Sequence, residues 1–130
     1  VFSDPAALAD LDALTHPAVI GEIDRRADAI REGVILIDAV KLIESGHADH
    51  CDAVWLVTAP PEVQVTRLME RNILPKAEAL RRVAAQPPLE PKIARADRII
   101  ENAGSLDDLR AQVEAAWRDV VGTQPVADRP

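Results

Sequence analysis

The chain has 130 residues, a formal net charge of −7, 48% hydrophobic residues and only 2% aromatics. That is enough chain for one domain with a core of Ala, Leu, Ile and Val, and the acidic balance argues against broad nucleic-acid binding. No apolar stretch is long enough to span a bilayer, "VFSDPAALAD" is not a signal peptide, and the lone Cys51 excludes an internal disulfide, which suits the cytoplasm.

In chain order, "SDPAALADLDALTHP" predicts a helix with Ser3 or Asp4 as N-cap and Pro5 in the first turn; Leu8, Leu11 and Leu14 recur at helical spacing. Pro17 predicts the start of a second helix, with Val19, Ile20, Ile23, Ala27 and Ile30 as its apolar stripe and Gly33 as its stop. "VILID" (34–38) predicts a strand buried on both faces, and "AVWLVTA" (53–59) a second of the same kind. "PPEVQVTRLMERN" predicts a helix with Pro61 and Glu62 in its first turn. "ILPKAEALRRVAAQPPLEPKIARA" reads as a basic, helical, Pro-punctuated insert. "DRIIEN" predicts a third strand. A final helix runs from Ser105 to about Val121, where Ser105 and Asp108 form an acidic variant of the capping box. The tail, 122–130, is expected to be disordered. Strands alternating with helices imply an α/β fold with a parallel sheet and flanking helices.

Asp38 ends a predicted parallel strand, where open α/β sheets bind ligands. A carboxylate there can orient Mg²⁺, directly or through water, or simply cap the next segment. Arg67 and Arg71 share a helix face, and Arg81 and Arg82 follow in the insert. Guanidinium forks suit phosphate oxygens, so the insert is a candidate lid over a triphosphate; the alternative is a solvated face beside Glu70 and Glu78. "HADHC" offers His47, His50 and Cys51, but not at standard zinc spacing, and reads as a polar loop, with no metal ligands assigned. His16 is a candidate base or substrate contact, or a packing residue. Asn102 and Gly104 lie where backbone could approach a ring or phosphate, or form a plain turn.

Taken together, "LTHP", "VILID…LIESG", "CDAVWLVTAPPEVQVTRLMERN", "EALRRVAAQPPLEPKIARADRIIENAGS" and "LRAQVEAAW" resemble the dephospho-coenzyme A kinase family, from Phe2 to about Trp117. The resemblance implies a P-loop kinase fold, ATP and Mg²⁺, and phosphorylation of the ribose 3′-hydroxyl of dephospho-CoA. It implies catalytic roles for Asp38 and Arg71 and ATP contacts for Arg67, Asn102 and Gly104. It implies substrate contacts for His16, Glu44, Arg81 and Arg82, a place for Gln86 at the lid, and a lid over about 71–96. Asp38 and Glu44 match the ends of the family's acidic segment, but Val40-Lys41 stands where the family has Pro-Leu, and Pro91 where it usually has Glu.

No G-x-x-x-x-G-K-[ST] occurs in the 130 residues, and the chain starts at Val1 rather than Met. The expectation is therefore residues 1–121 as the C-terminal part of a kinase domain, inactive without a phosphate loop. Its partners would be dephospho-CoA and ATP, with no nucleic acid or membrane. A further strand or a second copy could cover backbone edges that the first strands would otherwise pair. The competing expectation is a degenerate, non-catalytic nucleotide- or protein-binding module derived from a kinase.

Overall fold

A computed structural model describes residues 4–123. The chain divides into two compact units, Val1–Cys51 and Asp52–Pro130.

In the first unit, α1 spans Pro5–Asp28 as one helix. Asp4 caps it, its Oδ1 accepting from the N–H groups of Ala6 at 3.0 Å and Ala7 at 3.3 Å. Two helices divided at Pro17 are expected from the sequence, but the helix runs through Pro17. Proline has no N–H to offer the carbonyl of Ala13, and Ala13 is exposed, so water can serve that carbonyl. Leu14 is 77% and Val19 55% exposed, so the expected apolar stripe is only partly covered within the described residues. The helix ends at Asp28, short of Gly33 and without Ile30.

The expected strand at 34–38 is not observed. These residues enter no ladder, and Leu36 is 84% exposed. A strand exists only where a neighbour supplies hydrogen bonds, and no described strand pairs with this segment. A turn over 40–46 follows, closed by Ser45 N–H donating to the Lys41 carbonyl and Gly46 N–H to that of Ile43. Lys41 reaches back to α1, its Nζ 2.5 Å from Asp12 Oδ2. Gly46, at φ 77, then opens a one-turn 3₁₀ helix, His47–His50, with His47 and Ala48 buried.

The second unit holds β1 (Trp55–Thr58), α2 (Pro61–Asn72), α3 (Lys76–Ala84), α4 (Glu90–Arg95), β2 (Arg98–Glu101) and α5 (Leu106–Thr123). β1 and β2 pair in parallel with Leu56 opposite Ile99 and Val57 opposite Ile100. Parallel strands need a crossover, and α2, α3 and α4 provide it. The ladder is extended at one end by Asp97 N–H to the Val54 carbonyl (2.9 Å) and at the other by Asn102 N–H to that of Thr58 (2.7 Å). The Asp97 carboxylate also takes the N–H of buried Val54 at 2.7 Å. Among the described residues of this unit, Val54, Val65, Ala79, Ile100 and Ala116 are the buried apolar ones. β1 was expected to be buried on both faces; instead Val57 is 60% exposed, and on the other face of the pair Ile99 of β2 is 48% exposed, so neither face is fully covered by this unit's helices.

α5 begins as its sequence predicts. Ser105 Oγ accepts from Asp108 N–H at 3.1 Å, and Asp108 Oδ2 accepts from Ser105 N–H at 3.0 Å and Oγ–H at 2.7 Å. The helix runs two residues past Val121; the rest of the expected disordered tail, 124–130, lies outside the described residues, as does Ser3. α5 packs along β2, and Gln112 acts there as a surrogate peptide unit. Its Oε1 accepts from Glu101 N–H at 2.8 Å and its Nε2 donates to the Glu101 carbonyl at 2.9 Å. Arg98 and Asn102 point their N–H groups toward β1, so alternation turns those of Glu101 to the outer edge. Gln112 therefore occupies the outer edge of the sheet at Glu101.

Candidate functional site

The cationic groove of the second unit is built on α2. The helix sets Gln64, Arg67, Leu68 and Arg71 on one side, at spacings of three and four. With Glu70 they line an open groove of about 560 Å³. Gln64 fixes the helix start against the end of β1, its Nε2 donating to the Ala59 carbonyl at 2.7 Å. Arg67 spans to the strand-to-helix turn after β2, its Nη1 donating to the Asn102 carbonyl at 2.8 Å. One turn further, Arg71 Nε donates to Asn72 Oδ1 at 3.2 Å. Its two terminal nitrogens have no partner among the described residues. The groove thus presents one guanidinium anchored to the far turn and one held only through its Nε, and guanidinium donors in that arrangement suit phosphate oxygens.

Asn102 and Arg67, separated by 35 positions, are brought together by the fold. Gly104 has a local role in the same turn. A Cβ there would lie 2.8 Å from Asp108 Oδ2, the oxygen that closes the α5 cap. Ser105 lowers the pKa of Asp108 by hydrogen bonding, keeping it a carboxylate.

Arg81 and Arg82 lie on α3 and do not line this groove. Arg82 Nε donates to Glu78 Oε1 at 3.0 Å, and Arg81 pairs with the other oxygen. Hydrogen bonding from Arg82, then the charge of Arg81, holds the Glu78 carboxyl below its ordinary range. Gln86 donates to the Arg82 carbonyl at 3.4 Å.

Asp38, Glu44 and His16 belong to the first unit. Asp38 is exposed and has no hydrogen-bond or ionic partner among the described residues, so its carboxylate is available to a hydrated Mg²⁺. Glu44 is exposed in the turn. His16 Nε2 stands 3.5 Å from Asp12 Oδ1, whose other oxygen takes Lys41. The Lys41 hydrogen bond holds Asp12 below the usual carboxylate range. Lys41, a departure from the expected Pro-Leu, thus ties the turn to α1. His16, Ile20, Val40, Lys41, Ser45 and His47 help to line a cavity of about 260 Å³.

Two features escape a reading by short motifs. Gln64 could have been found by extending the Arg67–Arg71 face one turn back. Asp24, whose carboxylate comes within 3.7 Å of His47 Nε2, lies 23 positions away and carries no local signal.

The fold is shared with a crystal structure of a Thermus thermophilus protein, at a TM-score of 0.72 and 35% identity, over 92% of this chain and 63% of that one. A parallel sheet with flanking helices on this plan is the P-loop kinase class of α/β protein. A family model for dephospho-CoA kinase matches residues 1–108, and the chain belongs to that family. A dephospho-CoA kinase of Symbiobacterium thermophilum is 48% identical over 125 residues, covering 94% of this chain and 52% of the relative. One of Moorella thermoacetica is 38% identical over 134 residues, covering all of this chain and 62% of the relative. The chain spans between about half and somewhat under two thirds of the length of these relatives. Among the described residues no helix is long and apolar enough to cross a membrane.

Proposed function

We propose that these residues serve, in the cytoplasm, as part of an ATP- and Mg²⁺-dependent kinase that phosphorylates the ribose 3′-hydroxyl of dephospho-CoA. The observation that carries this reading is the Arg67–Asn102 hydrogen bond, with Arg71 one turn away in the same groove. It ties a phosphate-suited arginine pair to the turn that would flank the adenine. Arg71 would stabilise charge on the transferring phosphoryl group, and Arg67 and the 102–104 turn would hold the nucleotide. Asp38 would orient Mg²⁺, which when bound neutralises phosphate charge. His16 and Glu44 would hold the acceptor, and α3, with Arg81 and Arg82, would form part of a lid spanning about 71–96. Closing that lid would release one or both arginines from Glu78.

Phosphoryl transfer depends on a cradle of backbone N–H groups and a lysine, a motif these 130 residues do not contain. The chain alone should therefore form no CoA from dephospho-CoA, ATP and Mg²⁺. Joined to a segment that carries such a phosphate loop, it should. CoA formed by the chain alone would contradict the need for that loop. A folded, joined protein that binds ATP but forms no CoA would instead favour the non-catalytic binding module.

A further inference from the structure

We propose that Asp24, His47 and His50 form a binding site for a zinc-like divalent transition-metal ion. Each of the three offers one donor atom, and the three donors lie within 4.8 Å of one another. The local structure explains the grouping. His47 and His50 sit at the two ends of a one-turn 3₁₀ helix. In a 3₁₀ helix residues three apart eclipse, so both imidazoles leave the same side, with ring centroids 5.2 Å apart. Gly46, in the left-handed region at φ 77, allows the chain to enter that turn. Asp24 comes from near the C-terminal end of α1, where the helix dipole also favours a cation.

The second observation is the state of His47. It is 4% exposed, and its Nδ1 is buried with no hydrogen-bond partner. Its Nε2 meets the Asp24 carboxylate at 3.7 Å, beyond hydrogen-bond range. Two donors on one tetrahedral zinc, each about 2.0–2.1 Å from it, lie roughly 3.4 Å apart. The His47–Asp24 spacing is close to that figure. An ion bound at Nε2 would give this buried ring a partner on that side while water or a ligand filled the fourth position, and Nδ1, on the other side of the ring, would keep its proton. Two imidazoles and one carboxylate select zinc-like ions over Mg²⁺, which prefers an all-oxygen shell. The bound ion would clamp the turn at 47–50 to α1. This inference does not depend on the kinase reading.

The test uses the 130-residue chain with Zn²⁺ and Co²⁺ alone. Zn²⁺ should raise the thermal midpoint in a concentration-dependent way, and equal Mg²⁺ should not. Co²⁺ should give the visible bands of a tetrahedral site without thiolate charge transfer. His50→Ala and Asp24→Asn, at accessible positions, should each weaken Zn²⁺ binding by about tenfold or more, while Cys51→Ser should leave it unchanged. These two variants decide the matter even if His47→Ala does not fold. No Zn²⁺-dependent shift in the parent chain, undiminished binding in both His50→Ala and Asp24→Asn, or loss of binding in Cys51→Ser would overturn the assignment.

Discussion

At the residue scale, the groove on α2 separates charge from geometry. Lysine at position 71 would keep the positive charge but lose the planar fork. If Arg71 contacts the transferring phosphate, Arg71→Lys in the phosphate-loop-joined protein should slow turnover at saturating ATP by roughly tenfold to hundredfold, about 1.4–2.8 kcal/mol of transition-state stabilisation. An unchanged rate and ATP affinity would make Arg71 a solvated surface residue. A second residue-scale expectation concerns Glu22. Its carboxylate accepts from Arg25 Nε and Nη2 and from Arg26 Nε, each at 2.7 Å. Hydrogen bonding from Arg25, then Arg26, lowers its pKa from the ordinary 4.5 to about 2. A folded-state pKa below the unfolded one contributes stability above the unfolded value and loses it as pH falls through the folded one. The parent chain should therefore lose thermal stability relative to Glu22→Gln as pH drops from about 4.5 toward 2. Added salt should narrow the difference, because the cluster is exposed. Parallel pH profiles for parent and variant would contradict it.

At the scale of elements, the sequence is most informative where structure is local. The capping box of Ser105 and Asp108 is closed by residues three apart, and the short β-branched runs of β1 and β2 are visible before any fold is known. Legibility ends where an element needs a distant partner. The run at 34–38 has the composition of a strand, but composition cannot supply a ladder. Pro17 looks like a boundary because the rule that proline breaks helices ignores solvent at Ala13. The Arg67–Asn102 bond joins positions whose proximity depends on the crossover, so only the arginine spacing was readable. The join between α2 and α3 adds a conformational penalty. Ile73 sits at φ 52 and ψ 46, a left-handed conformation that a β-branched residue adopts at a cost, and it is 92% exposed. Little burial would be lost on substitution. Ile73→Gly should raise stability by about 1 kcal/mol, read as an increase in denaturant midpoint with unchanged slope. A lowered midpoint would mean that the isoleucine makes contacts which outweigh its backbone strain.

At the scale of the whole molecule, the two sides of the β1–β2 pair are unequal. The N–H and carbonyl groups of Trp55 and Val57 point away from β2, and no described strand pairs with them. The opposite side is occupied at Glu101 by the Gln112 carboxamide. Unpaired strand edges recruit other strands. In terms of polymer growth, the sheet has a valence of one: it can add a strand through β1, and a chain so joined offers its partner a blocked end. Self-association by strand addition should therefore stop at a two-fold pair. Gln112→Ala would raise the valence to two and allow head-to-tail growth without closure. Sedimentation velocity at rising concentration should show at most a dimer for the 130-residue chain and a broad distribution of larger species for the variant. A variant no larger than the parent would show that the side-chain amide is not what terminates the sheet. On this account, one glutamine on a helix decides whether the chain's association is finite or open-ended.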